Sequence, residues 1–366
     1  MTQTSAQTTP LRPWRRRALQ TTLALAVGSS SLFGTAIMAG AQDGSGGATP
    51  PPASPISAAT CSIPDLSAAQ PKVQPTGTPT TAPTQTATST PTKTAPASPA
   101  GTPDASPIAS ATATTETPAA SPVAETPDTL ASELTMSANA VADCLTKGDF
   151  TTLASITGDT FRGQLIGAGE PVSAEDFTDL APSLAVIPYT IAQVDDATGS
   201  GTTATATVTY LFGNQVRIGK WSFTKASVDG KDVWVLDEET PQAVTKPGSA
   251  EEATVTIKDN AYAFDPQTIN GNEVFFSISN KDKVNHELFV VKLASDTKID
   301  VLLTTPGPGL PQGVTFVGQV TVPAGSDSEL LLTDLEPGTY QVVDLLPNDQ
   351  GLPHLSDGMK ATFTVK

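Results

Sequence analysis

The chain is poor in the residues on which most catalytic sites are built. Its 366 residues include two histidines, two cysteines and four methionines, and aromatic residues make up 5% of the sequence. Two histidines cannot supply a trinuclear copper cluster, so a multicopper oxidase is excluded. Basic residues are also scarce, since 20 Lys and Arg stand against 37 Asp and Glu, for a net charge of −17. The field of such a chain repels nucleic acid and anionic lipid, and we predict neither as a partner.

The first 41 residues carry an export pattern. Arginines precede an apolar run from Leu19 to Met38, which ends in Ala39-Gly40-Ala41. A basic region, an apolar core and small residues at the end are typical of a cleaved signal peptide, which we predict over 1–41. Arg15-Arg16 resembles the start of a twin-arginine signal. We therefore predict an extracytoplasmic protein, secreted or at the cell surface, with no stable membrane insertion after cleavage. An uncleaved membrane anchor is the alternative.

Residues 42–127 contain no aromatic side chain and consist mostly of Pro, Thr, Ala and Ser. Such a segment cannot bury enough apolar surface to offset the entropy of ordering it, so we predict a disordered low-complexity linker. The segment holds Cys61, and the other cysteine is Cys144. An even number of cysteines in an exported chain permits a Cys61–Cys144 disulfide, with two free thiols as the alternative.

The segment 128–246 changes from a helical to an alternating pattern. Leu130, Leu134 and Leu145 share one helical face, whereas alternating Ala, Val and Thr residues from Ala204 onward indicate a strand. Helices followed by antiparallel strands predict an α+β domain. This order, with "LTKGDFTTLASITGDTF" in its first part, resembles the NTF2-like cone fold, whose members are enzymes, ligand-holding modules or structural modules. Since the segment contains no histidine, we predict a structural or small-ligand module.

Short alternating strands and Pro/Gly turns fill the last segment, 250–366. "NEVFFSISN" and "NHELFVVKL" are two of these strands, and Pro337-Gly338 indicates a tight turn. We predict an all-β Greek-key sandwich. Both histidines lie in this segment: His286 begins a core strand, and His354 lies in the loop before the last strand, five residues before Met359. In a Greek-key sandwich, the loop that precedes His286 and the loop that carries His354 can meet at one end.

Four stretches of this segment carry a resemblance to a known family. "NHELFVV", "LEPGTYQVVD", "PHLSDGM" and "KATFTV" look like a cupredoxin, the plastocyanin-like blue-copper fold, over about residues 250–366. The resemblance implies that His286 and His354 are copper ligands and that Met359 is the weak axial ligand. It also implies a role related to electron transfer, with a redox partner that stays unknown. Asp344 falls where the family has its cysteine.

The missing thiolate changes the expected chemistry. Two histidines, a cysteine and a distant methionine make a blue electron-transfer site, whereas a carboxylate favours Cu(II) or Zn(II) over Cu(I). Three hypotheses follow for the sandwich. It is a copper-binding module with an altered site, where zinc is also possible; or it is a metal-free module that binds a surface partner or ligand; or it is a hydrolase that uses Ser356 or Asp344 with His354. Against the hydrolase, the sequence shows neither a nucleophile elbow nor an oxyanion motif.

Overall fold

The computed structural model describes residues 60–66, 127–304 and 309–366. The predicted signal peptide over 1–41 and most of the predicted linker lie outside the described residues. The described part falls within one compact unit and is mostly β-sheet with few helices. None of the described helices has both the length and the apolar character needed to span a membrane.

One helix of 21 residues and three shorter ones precede the strands of the fold. Asp149 begins the second of them, because its carboxylate accepts a hydrogen bond from the Thr152 amide at 3.1 Å. Ser173 begins the fourth in the same way, with the Asp176 amide at 3.2 Å from its hydroxyl. Gly148, at φ 69°, follows the first helix in the left-handed conformation that commonly ends helices. The helices are α1 (Pro127–Lys147), α2 (Phe150–Ser155), α3 (Asp159–Leu165) and α4 (Ala174–Leu180), followed by a 3-10 turn at Ala181–Ser183.

An antiparallel meander of four strands follows the helices. Its side chains alternate between buried and half-buried along β2, as the sequence pattern predicts. Asp229 and Gly230, at φ 51° and 76°, make the tight turn between the last two strands. The strands are β1 (Tyr189–Ser200), β2 (Thr203–Phe212), β3 (Gln215–Val228) and β4 (Lys231–Gln242). Helices followed by antiparallel strands are thus present, while the closer likeness to the NTF2-like fold stays a prediction.

The rest of the chain forms a β-sandwich, as predicted. One of its sheets has the order β11-β8-β5-β6, and the other has the order β10-β9-β12-β13-β7. The chain changes sheets on either side of β7, between β8 and β9, and on either side of β11. Val255, Phe276 and Phe363 are buried in the core between the sheets. The strands are β5 (Glu251–Lys258), β6 (Ala261–Asp265), β7 (Thr268–Ile269), β8 (Val274–Asn280), β9 (His286–Leu293), β10 (Val314–Val322), β11 (Asp327–Leu332), β12 (Gly338–Val343) and β13 (Lys360–Val365), with a helical turn α5 (Val301–Thr304) before β10 and a 3-10 turn (His354–Asp357) before β13.

The two predicted domains, 128–246 and 250–366, share one sheet, and one cluster of buried residues includes members of both. Gln215 at the start of β3 pairs with Leu332 at the end of β11, so the sheet of the meander continues into the sandwich. The Gln319 amide donates to the Gln215 side chain at 3.1 Å, and the rings of Phe212 and Phe316 are 4.6 Å apart. The preceding predicted domain therefore packs directly against the sandwich.

A short part of the predicted linker packs against the helices. Cys61 and Cys144 are joined by a disulfide with their Cα atoms 5.0 Å apart, and the Cys61 amide donates to Asp149 at 3.0 Å. Leu66 is buried as well. Residues 60–66 therefore differ from the prediction of an uninterrupted disordered segment over 42–127, because a covalent bond and a buried leucine hold them on the fold.

Removing this disulfide is expected to lower stability. Cys61 and Cys144 are 83 residues apart, and closing a loop of this order stabilises a folded domain by about 2–4 kcal/mol. We expect Cys61→Ser to lower the free energy of unfolding by that amount, measured by urea denaturation. The matched control is the wild-type protein in reductant, which should unfold like the variant. An unchanged midpoint in both samples would contradict the prediction.

Glu239, in β4, is a buried carboxyl group of the meander. The Tyr210 hydroxyl donates to its Oε1 at 2.8 Å. Burial raises the pKa of Glu239 to about 7, although the hydrogen bond from Tyr210 and the charge of Arg217 act to lower it. The pKa of a glutamate in an unfolded chain is about 4.3. Between the two pKa values the unfolded chain binds fewer protons than the folded protein, so stability falls as the pH rises.

We expect this group to remove about 3 kcal/mol of stability between about pH 4 and pH 7. Glu239→Gln should abolish that loss, because glutamine stays neutral and still accepts the hydrogen bond from Tyr210. The measurement is the urea midpoint of both proteins at several pH values across this range. Parallel pH profiles for the two proteins would show that Glu239 does not cause the dependence.

Candidate metal centre

His286 is the first residue of β9 and is fully buried. Its side chain points into the sandwich, because strand alternation places it on the same face as Leu288 and Val290, which belong to the sandwich core. The side chain of Asn280 stabilises the loop that precedes His286. The Asn280 side-chain amide contacts the carbonyls of Val284 at 2.9 Å and Val322 at 3.0 Å. The backbone leading to His286 is therefore held at several points.

The loop between β12 and β13 places Asp344 and His354 side by side. Asp344 directly follows β12, and its carbonyl accepts a hydrogen bond from the Leu355 amide at 2.8 Å. The Met359 amide donates to the His354 carbonyl at 3.1 Å, and the Asp344 amide donates to the Met359 carbonyl at 3.4 Å. The backbones of these three residues are thus tied together, and their side chains are buried.

The structure brings His286, Asp344 and His354 into one cluster. The His286 Nδ1 lies 2.7 Å from the Asp344 Oδ2, and the two imidazole rings have their centroids 5.0 Å apart. One ligand atom from each of the three side chains lies within 4.8 Å of the others. The exposed fraction is 0% for His286 and Asp344 and 7% for His354. Two nitrogen donors and one oxygen donor therefore share a largely buried site.

The ligand set fits a divalent ion. The His354 Nδ1 is buried and has no hydrogen-bond partner among the described residues. A buried polar atom left without a partner costs about 1–3 kcal/mol, and coordination to an ion would remove that cost. Imidazole nitrogen and carboxylate oxygen together suit Cu(II) and Zn(II). Met359 as an axial ligand stays a prediction, although its backbone lies beside both Asp344 and His354.

The sequence did not reveal two further carboxyl groups near His286. Asp282 contacts the other ring nitrogen of His286. Partial burial acts to raise the pKa of Asp282, but hydrogen bonds from the amides of Asn260 and Asp259 outweigh burial and lower it. Glu287 is fully buried, and burial together with the charge of Asp344 raises its pKa to about 8. The sequence contains one sign of the burial of Glu287, which is that a charged residue stands within the apolar run of β9.

Ser356, named in the hydrolase hypothesis, is exposed and donates its hydroxyl hydrogen to the Pro353 carbonyl at 2.7 Å. This hydrogen bond directs the hydroxyl to backbone and not to the imidazole of His354. A nucleophile needs a hydrogen bond to its general base, so the described geometry does not favour a serine hydrolase.

A cavity of about 760 Å³ lies between the helices of the first domain and β10 of the sandwich. Its lining is mostly apolar and includes Phe150, Val186, Leu310 and Phe316. It therefore lies between residues of the two predicted domains. The predicted role of the first domain as a structural or small-ligand module stays a prediction.

No family model matches the sequence, and no curated protein matches it by sequence. Among solved structures, the auracyanin of the photosynthetic bacterium Roseiflexus castenholzii is 21% identical, with a TM-score of 0.24, over 32% of this chain and 99% of that chain. Auracyanin B is 21% identical, with a TM-score of 0.24, over 34% of this chain and 93% of that chain. A multi-copper oxidase from Pediococcus acidilactici is 10% identical, with a TM-score of 0.21, over 49% of this chain and 45% of that chain. Likenesses of this size do not establish an activity.

Proposed function

We propose that the carboxy-terminal sandwich is a cupredoxin-like module that binds a divalent copper ion through His286, His354 and Asp344, outside the cytoplasm. The buried Nδ1 of His354, which has no hydrogen-bond partner within the described part of the chain, carries the proposal; the centroid of its ring lies 5.0 Å from that of His286. A purely structural histidine at this burial would be expected to have both ring nitrogens satisfied. The Cys61–Cys144 disulfide supports an oxidising compartment and thus export.

Each ligand has a defined part in this proposal. His286 and His354 present imidazole nitrogens, and Asp344 adds a negative charge that compensates a divalent ion in a buried place. Copper, when bound, supplies one-electron redox chemistry. Because a carboxylate stands where a thiolate would be, the oxidised ion is favoured, and we propose copper binding without intense blue colour. Zinc is the competing ion.

A metal-free role is the second candidate, and one observation favours it. Each ring nitrogen of His286 contacts a carboxylate, Asp344 at 2.7 Å and Asp282 at 3.1 Å. An imidazolium ion donates from both nitrogens, so it satisfies both contacts without a metal. The sandwich would then serve as a binding surface for another protein or a ligand.

A copper titration decides between the two candidates. The full chain, purified with a histidine-free tag, is titrated with Cu(II) and separately with Zn(II) by calorimetry. We expect one ion to bind per chain, and the EPR spectrum of the copper complex to show nitrogen couplings. The chain has two histidines, so imidazole couplings can come from His286 and His354 alone. Absence of saturable binding, or a copper signal without nitrogen couplings, would leave the metal-free role.

A further inference from the structure

Asp282 lies in the loop between β8 and β9, four residues before His286. Its Oδ2 is 3.1 Å from the Nε2 of His286, on the side of the ring opposite to Asp344. Its side chain is 16% exposed. The carboxylate therefore contacts a proposed ligand without being one of the three clustered groups.

Backbone donors hold this carboxylate in place. The amides of Asp259 and Asn260 donate to its two oxygens at 2.8 Å and 3.0 Å. These two residues form the turn between β5 and β6, and both have positive φ angles, 54° and 56°. Successive residues of this kind can direct two amides to one anion. The turn therefore orients the Asp282 carboxylate before any ion binds.

The loop that carries Asp282 is fixed as well. The Asp282 amide donates to the side-chain oxygen of Asn280 at 2.9 Å, and its carbonyl accepts from the Gly325 amide at 3.1 Å. A group held at its backbone and at its carboxylate can set the orientation of a neighbouring ring. Rigid support of this type is what keeps a metal ligand in its productive geometry.

Asp282 faces the ring nitrogen of His286 that would remain protonated in a metal complex. Both ring nitrogens face carboxylates, Nδ1 at 2.7 Å from Asp344 and Nε2 at 3.1 Å from Asp282. A metal ion at Nδ1, on the side of Asp344 and His354, would leave the single proton of a neutral imidazole on Nε2, where it donates to Asp282. Histidines that bind metals almost always donate their other N–H to a carboxylate or carbonyl, which fixes the tautomer and raises ligand basicity. Building on the proposed function, we propose that Asp282 is the positioning residue that makes His286 an Nδ1 metal ligand.

The first test is Asp282→Asn in the full chain. The substitution keeps the size of the side chain but removes the charge beside Nε2. We expect the affinity for Cu(II) to fall about 10-fold to 100-fold, as is usual for such partners of metal-bound histidines. The matched control is Asp327→Asn, which removes one charge from an exposed residue that hydrogen-bonds to Ser279 at 2.6 Å. Its affinity should equal that of the wild type, and melting of the metal-free variants shows whether each is folded.

The second test needs no variant. In wild-type protein labelled with nitrogen-15 and loaded with Zn(II) as a diamagnetic probe, we expect the His286 proton on Nε2 and the metal on Nδ1. This result would place the proton where the Asp282 carboxylate can accept it. A proton on Nδ1 would overturn the proposal, as would an unchanged copper affinity in a folded Asp282→Asn protein. If the wild type itself binds neither ion, both the proposed function and this inference fail; if the wild type binds and Asp282→Asn binds equally, the inference alone fails.

Discussion

Asp344→Cys is expected to turn a weakly coloured copper complex into one with an intense visible absorption band. The substitution places a thiolate beside His286 and His354, with Met359 in the same loop, which is the ligand set of a blue-copper site. Asp344 is fully buried, and cysteine is smaller than aspartate, so the new side chain enters without overpacking. The measurement is the visible and EPR spectrum of the variant after addition of Cu(II).

The substitution has a structural cost that the experiment must allow for. Asp344 accepts a hydrogen bond from the Leu346 amide at 2.8 Å, besides its contact with His286. Leaving a buried donor without a partner costs about 1–3 kcal/mol, so the metal-free variant should be less stable than the wild type. Asp344→Ser is the matched control, because it loses the same carboxylate without gaining a thiolate, and it should stay colourless. Copper bound by the cysteine variant without the band would show that position 344 is not at the ion.

The two histidines are expected to respond very differently to replacement by leucine. His286→Leu leaves the carboxylates of Asp344 and Asp282 without the partner between them. Loss of the hydrogen-bond partner of the fully buried Asp344 carboxylate should cost about 3 kcal/mol, the upper end for a buried polar group left without its partner. His354→Leu removes a ring whose buried Nδ1 has no hydrogen-bond partner among the described residues. Its effect on the metal-free protein should therefore lie within about 1 kcal/mol, and it can be stabilising.

Metal binding should nevertheless be lost in both variants. Each variant removes a proposed ligand. The affinity for Cu(II) should therefore fall by more than about 100-fold, which is the largest loss expected when only the hydrogen-bond partner of a metal-bound histidine is removed. Urea denaturation of the metal-free proteins and copper titration of the folded ones measure the two effects separately. His354→Leu is the informative variant, because it keeps the fold while removing a ligand. If it destabilises the metal-free protein as much as His286→Leu does, His354 is a structural residue and the metal-free role is favoured.

Much of the candidate site was predicted because a family resemblance assigned ligand roles to residues at the ends of clearly patterned strands. His286 opens β9, Asp344 follows β12, and His354 and Met359 lie before β13, where the alternation of apolar residues stops. Asp282 could not be recognised in this way. It lies in a polar loop, and the donors that orient it come from a turn more than twenty residues earlier in the chain. No local pattern distinguishes such a carboxylate from a solvated one.

The sequence by itself determined the local structure: alternation defines the strands, Asp149 and Ser173 begin helices, Asp229-Gly230 turns a hairpin, and the paucity of histidine restricts any histidine-ligated metal site to the last predicted domain. These features depend on neighbouring residues and on backbone preferences, which are written locally. Only the tertiary structure decided that Gln215 pairs with Leu332 to join the two domains, and that His286, Asp344 and His354 converge with Asp282 behind them. Such contacts join residues far apart in the chain, and the packing of two sheets, rather than any short pattern, determines which of them meet.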